Sequence, residues 1–168
     1  MLLYFLRHGK AGRRTEWSGP DSERSLTEEG VVLLEREALN LAALFAAPDL
    51  ILTSPLVRAS QTAAITARGY GAPCQVVMEE LLAPGFGRKQ LGKILDEHSN
   101  AATLMLVGHE PDFSLTAAAL IGGARIVFGK GDFVVVSLPI PGVLEGMLVA
   151  HIPARVLAGL GAELPQTG

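Results

Sequence analysis

The sequence predicts a three-layer α/β/α sandwich with a mostly parallel central sheet and an antiparallel edge. Short, wholly apolar runs alternate with segments of helical period, and the runs end repeatedly in a polar or charged cluster. Unbroken apolar runs are what strands covered on both faces of a parallel sheet require. The length, 168 residues, suits a single domain over residues 1–168 around one core.

The run Leu2 to Leu6 is the first strand, and its end delivers Arg7 and His8. Lys10 to Arg24 turns polar, with Gly12, Gly19, Pro20 and the pair Arg13-Arg14, and reads as an exposed loop able to border a site. Ser25-Leu26-Thr27-Glu28 has the form of a capping box. It opens an amphipathic helix whose apolar face is Val31, Leu34, Ala38, Leu41, Ala42 and Phe45, and Pro48-Asp49 closes it. Leu50 to Thr53 is a second strand. Ser54-Pro55 then suits an N-cap followed by proline at the first helical position, which puts Arg58 in the first turn of the next helix.

Gln75 to Met78 reads as the third strand, followed by a polar, glycine-containing segment near Pro84 to Arg88 and a helix to about His98. Thr103 to Val107 is again continuously apolar and again ends in a polar tip, Gly108-His109-Glu110-Pro111, ahead of a helix from Asp112 to Ile121. Ile126 to Phe128, Phe133 to Leu138 and Gly146 to Ile152 are expected as late antiparallel strands, with Lys130 at the tip of a hairpin between the first two. After Pro153 a short helix is expected, fraying at Pro165 to Gly168.

Composition excludes several classes of function. With 49% apolar and 18% charged residues the chain is neither disordered nor a highly solvated interaction module. A net charge of -3 offers no global field for nucleic acid or an anionic membrane, so an anionic substrate must be held by local charges. The apolar N-terminus lacks a basic start and a small-residue cleavage site, and no run approaches the roughly 20 residues needed to span a bilayer. Cys74 has no internal disulfide partner, which fits a reducing compartment, and the cytoplasm is the expected location.

In open parallel sheets ligands bind beyond the carboxyl ends of the strands, and Arg7, His8, Arg58 and His109 all map there. Two guanidinium forks and two imidazoles, with no nucleophilic cysteine, serine triad or acidic metal cluster, suit a phosphoryl group. A neutral imidazole is nucleophilic near pH 7 without an auxiliary base, so His8 is the candidate nucleophile, Nδ1–H fixed on a backbone carbonyl and Nε2 attacking phosphorus. Arg7, Arg58 and His109 are the candidate phosphate ligands, with His109 a donor made cationic by a neighbouring dianion. Glu79 and Glu80 follow the third strand; Glu80 is the preferred proton donor to the leaving group, and a charged loop start is the alternative for both. Lys10 touches substrate or is solvated, and Arg13-Arg14 read as solvated. No His-x-His or His-Glu-x-x-His pair occurs, so no metal and no cofactor are expected, and His98 and His151 read as structural.

Three of these segments resemble one known family. Leu6-Arg7-His8-Gly9 resembles the Arg-His-Gly signature of the histidine phosphatase, or phosphoglycerate mutase-like, superfamily. Ser54 to Ala63 (Ser-Pro-Leu-Val-Arg-Ala-Ser-Gln-Thr-Ala) resembles its second motif, which supplies a phosphate-binding arginine, and Val107-Gly108-His109-Glu110-Pro111 the motif of its second active-site histidine. Within the superfamily, the short length and Glu80-Leu81-Leu82-Ala83-Pro84-Gly85 look most like SixA-type phosphohistidine phosphatases. The resemblance implies a phosphoglycerate mutase-like fold and a metal-independent phosphatase that passes the phosphoryl group through His8. The expected substrate is phosphohistidine on a protein. A broad small-molecule phosphomonoesterase with the same site is the alternative, and a non-catalytic phosphate-binding domain is the alternative of another class.

Overall fold

A computed structural model describes residues 1–71 and 74–161. Six strands, β1 (Leu2–Arg7), β2 (Leu50–Thr53), β3 (Val76–Met78), β4 (Thr103–Gly108), β5 (Phe133–Ser137) and β6 (Met147–Ile152), form one sheet in the order β3-β2-β4-β1-β5-β6. β3, β2, β4 and β1 run parallel; β5 is antiparallel to β1, and β6 to β5. The helices are α1 (Glu28–Leu44), α2 (Val57–Gly69), α3 (Arg88–Glu97), α4 (Asp112–Leu120) and α5 (Ala154–Gly159).

The period of two in a strand sorts its side chains into two layers. Leu3, Phe5, Leu52, Leu104 and Leu106 face α3 and α4 through Leu91, Ile94, Phe113, Ala117 and Leu120. Tyr4, Leu6, Ile51, Met105 and Val107 face α1, α2 and α5 through Leu41, Ala59, Ala63 and Leu157. The three layers expected from the apolar runs are therefore present. Each fully buried aromatic, such as Phe5 or Phe113, contributes about 2–3 kcal/mol of apolar transfer.

Register positions the site. Leu6 pairs with Val107 and Arg7 with Gly108, while Thr53 pairs with Val107, so β1, β2 and β4 end side by side. Their polar tips are thereby forced into one place.

Several expected boundaries shift for identifiable reasons. Ile126 to Phe128 forms no strand, because β5 is already flanked by β1 and β6 and offers no free edge. Phe128 is instead buried against Phe113, and its carbonyl accepts from Arg7 Nη1 at 2.7 Å. The cap of α1 is Thr27, whose Oγ1 accepts from Gly30 N at 3.0 Å; Ser25 lies outside the helix. Gly30 is required by a close approach, since a Cβ there would lie 2.1 Å from the Lys10 carbonyl oxygen. α2 starts at Val57 rather than Pro55, because Ser54 is held by Val107 O and its own hydroxyl takes Leu56 N. The loop expected over Lys10 to Arg24 contains two 3₁₀ turns, Arg14–Glu16 and Asp21–Glu23. The expected frayed segment from Pro165 lies outside the described residues.

Candidate active site

β1 ends in Arg7 and leads directly to His8, whose backbone N–H donates to Gly108 O at 3.0 Å. The imidazole is 6% exposed. Its Nδ1 lies 2.8 Å from Gly9 O, an atom that can only accept, so Nδ1 carries the proton and Nε2 the lone pair. That lone pair receives Arg58 Nε–H at 3.2 Å. Burial, and after it the nearby His109, Arg58 and Arg7, push the His8 pKa down to about 3 despite the Gly9 hydrogen bond. His8 is thus a neutral, oriented nitrogen base throughout the physiological range.

Arg58 comes from the first turn of α2 and is 5% exposed. Beyond His8, Nη1 donates to Asp21 O at 2.8 Å and Nη2 pairs with Asp21 Oδ2 at 3.1 Å. Arg24 Nε at 2.9 Å and Arg14 Nε at 3.3 Å hold the other carboxylate oxygen. One aspartate on the exposed loop therefore gathers three guanidinium groups, and two of them, the Arg24 hydrogen bond first and then Arg58, keep its carboxyl below the ordinary aspartate value.

His109 follows β4, with its ring centroid 5.3 Å from that of His8. Its Nε2 is 2.8 Å from Ser54 Oγ, which already accepts Leu56 N–H. Ser54 is fully buried, and its hydroxyl hydrogen has no other acceptor among the described residues, so it donates to Nε2. Nδ1 then bears the hydrogen, buried and without a partner. Burial first, then Arg58, pushes the His109 pKa down to about 4. In the free site His109 is neutral, yet it still holds an unspent N–H; the expected cationic form belongs to the site with a dianion beside it.

These groups line a cavity of about 300 Å³ with Arg7, Arg13, Arg14, Arg24, Arg58 and Lys130 around it, and with Glu110 as its one carboxylate among the described residues. Local cations thus offset the chain's negative net charge, as anion capture demands. Arg13 and Arg14 are exposed as expected, but they stand at this rim. Lys130, expected at a hairpin tip, lies on the wall, and Asp21, Arg24 and Glu110 complete the set that the motifs did not reveal.

Two expected site residues lie elsewhere. Glu80 is exposed in the 3₁₀ turn Glu80–Leu82 and does not line the cavity; only Pro84 of that segment does. Its neighbour Glu79 is occupied by Leu81 N–H at 2.9 Å. Lys10 pairs with the exposed Glu29 and lines a second cavity, of about 380 Å³, beside Glu37 and Arg155. Among the described residues the one grouping with metal-ligand spacing is Glu79, Glu97 and His98, away from the catalytic cavity.

The model of the histidine phosphatase superfamily, branch 1, matches residues 3–110. The chain belongs to this superfamily. Among relatives of this histidine phosphatase, a protein of uncharacterised function from Picosynechococcus sp. is 40% identical over 128 residues, covering 73% of this chain and 74% of the relative. The structure of the protein histidine phosphatase SixA complexed with tungstate superposes with a TM-score of 0.82 at 22% identity, covering 94% of this chain and 99% of that one. The alpha-ribazole phosphatase from Shigella flexneri superposes with a TM-score of 0.66 at 19% identity, covering 92% and 97%. The fold is thus the phosphoglycerate mutase-like one, and the enzyme is a hydrolase of the histidine phosphatase type. Among the described residues no helix is long and apolar enough to cross a membrane.

In this phosphatase Glu37, on α1 beneath the second cavity, is 5% exposed, and burial followed by Asp132 pushes its pKa up to about 7. An unfolded Glu37 releases its proton near 4.5, whereas the folded protein keeps it until about 7. Its contribution to stability is therefore full below pH 4.5 and lost as pH rises through 7. The depressed histidines act in the opposite sense, lowering stability as pH falls below 6.5. Glu37→Gln, which cannot ionise, is expected to raise the urea unfolding free energy by about 1–2 kcal/mol at pH 8 and to bring little gain at pH 5. An equal change at both pH values would show that Glu37 is not the titrating group.

Proposed function

We propose that this enzyme hydrolyses phosphohistidine on a protein, by way of a phosphoryl group carried on His8 Nε2. One observation carries the substrate class. Among the described residues the cavity is lined by guanidinium, imidazole, ammonium and carboxylate groups with Gly12 and Pro84, and by no aromatic or open-chain aliphatic residue that would grip an organic leaving group. Such a pocket recognises the phosphoryl group and leaves the rest of the substrate outside, as a side chain presented by another protein would be. The likeness to SixA over nearly the whole of both chains supports the same reading.

In this reading Arg7, Arg58 and His109 Nδ1–H hold the equatorial oxygens while Nε2 attacks in line. Arg58 Nε–H passes from the nucleophile to phosphate as the bond forms. Water then attacks the phosphohistidine and restores His8. The second reading, a small-molecule phosphomonoesterase, draws on the likeness to alpha-ribazole phosphatase.

Turnover with EDTA present, on a phosphohistidine-bearing protein and a panel of metabolite esters, separates the two. The expected result is unchanged activity in EDTA and a kcat/KM at least about 10-fold higher on the phosphoprotein, a difference of roughly 1.4 kcal/mol in transition-state binding. A higher value on an ester transfers the assignment to the second reading.

A further inference from the structure

We propose that Lys130 is a catalytic residue of this site: its ammonium binds the phosphoryl group at the cavity mouth and protonates the departing group. The inference rests on His8 as phosphoryl acceptor and adds to that reading the proton donor it lacks.

Four observations carry it. First, the cations around the cavity are not equally available. Arg13 is paired with Glu16, and Arg14, Arg24 and Arg58 share Asp21. Among the described residues, only Arg7 and Lys130 of the lining cations have no carboxylate within ion-pair distance. A cation left unpaired in a cluster of cations is a place for an anion.

Second, the turn that carries Lys130 is fastened to the nucleophile. Gly131 N lies 3.2 Å from both Arg7 O and His8 O, and Arg7 N donates to Asp132 O at 3.1 Å. The Asp132 carboxylate closes the turn by accepting Gly129 N at 2.7 Å and Ala154 N at 2.9 Å. Gly131 has φ +80°, a left-handed conformation that favours glycine. The backbone of Lys130 is therefore placed relative to His8, and its exposed side chain lines the catalytic cavity on one side and the second cavity on the other.

Third, the carboxylates do not serve. Glu80 is exposed and off the cavity, and both Glu110 oxygens are taken by Ser114, one by its N–H and the other by its hydroxyl. Fourth, the surroundings favour proton release. Partial burial first, then Arg7, Arg24, Lys10 and Arg58, holds the Lys130 pKa below the ordinary lysine value. On the far side, across the second cavity, stand Arg155 of α5 and Glu37 of α1, whose pKa burial raises to about 7. His8 and His109 are neutral, and the Asp132 carboxylate is engaged with its own turn.

The proton balance closes. As the His8 Nε2 lone pair forms the N–P bond, the bond from phosphorus to the leaving oxygen or nitrogen breaks, and that atom takes a proton from Lys130 Nζ. In the second half, water attacks phosphorus and passes a proton to the neutral amine, while the P–Nε2 pair returns to His8.

Lys130→Met and Lys130→Arg, assayed on p-nitrophenyl phosphate and on an alkyl phosphate, test this. The first leaving group departs without a proton and the second does not. Lys130→Met is expected to lose about 10-fold in kcat/KM on the aryl ester and about 1,000-fold on the alkyl ester. Lys130→Arg keeps the charge but holds its protons too tightly, so the aryl ester stays within about 3-fold and the alkyl ester loses about 100-fold in kcat at unchanged KM, with the alkaline limb of its pH profile displaced upward. Losses equal across both leaving groups would overturn the acid role. Inorganic phosphate titrated calorimetrically into each variant reads binding without turnover: about 10-fold weaker for Lys130→Met and unchanged for Lys130→Arg is expected. Unaltered phosphate affinity in Lys130→Met would overturn the binding role. Failure of His8 as acceptor would appear separately, as turnover surviving in His8→Ala.

Discussion

Acid-quenched and base-quenched samples taken during turnover are expected to show a phosphoryl group on His8 that is labile in acid and stable in base. His8→Ala is expected to trap none and to lose at least about 1,000-fold in kcat, because no neighbouring group can take over the nucleophile's role. The expectation follows from two hydrogen bonds. Gly9 O fixes the tautomer, and Arg58 Nε–H holds the lone pair of Nε2 on the cavity side. The same burial that orients the ring keeps its pKa at about 3, so the wild-type enzyme does not lose its nucleophile to protonation anywhere between pH 5 and 8. A His8→Ala variant with unchanged turnover would contradict the mechanism. A wild-type protein that binds phosphate but neither turns over nor becomes phosphorylated would instead be the non-catalytic domain of the third reading.

Arg58→Ala is expected to lower kcat/KM by about 100- to 1,000-fold, the scale on which a preorganised charged donor acts in a transition state. Arg58 has three tasks at once: Nε reaches the nucleophile, Nη1 and Nη2 grip Asp21, and its remaining hydrogens are free for phosphate oxygens. Arg58→Lys should restore little of the loss, since one ammonium cannot reach both His8 and the Asp21 carboxylate. Asp21→Asn gives the graded comparison. It keeps the backbone carbonyl that accepts from Nη1 and removes only the ion pairs, so a loss of about 3- to 10-fold is expected, mainly in KM. A larger loss in Asp21→Asn than in Arg58→Ala would mean that the loop acts by some route other than positioning Arg58.

Much of the site was legible in the sequence because its parts sit at the ends of apolar runs. A residue directly after a buried parallel strand must emerge at the sheet's carboxyl edge, so the apolar runs alone locate Arg7, His8 and His109. Motif order then joined Arg58 to them. The errors share a cause. Glu80 stands after β3, but the 3₁₀ turn directs it to solvent, and Ser54-Pro55 has the chemistry of a helix start although Ser54 is spent on β4 and His109. Ile126 to Phe128 has strand composition, but its expected hairpin partner β5 is flanked on both sides by β1 and β6.

What the sequence alone determined is the layered fold, the strand ends and the place of His8 at one of them, because these depend on local periodicity and on residues adjacent along the chain. What only the tertiary structure decided is the company that His8 keeps: Asp21 across three arginines, Ser54 setting the protonated nitrogen of His109, and Lys130 on a turn fastened to Arg7 and His8. Lys130 lies more than 100 residues from His8 in the chain, and such a pair is joined by sheet register and loop packing, which no local pattern encodes.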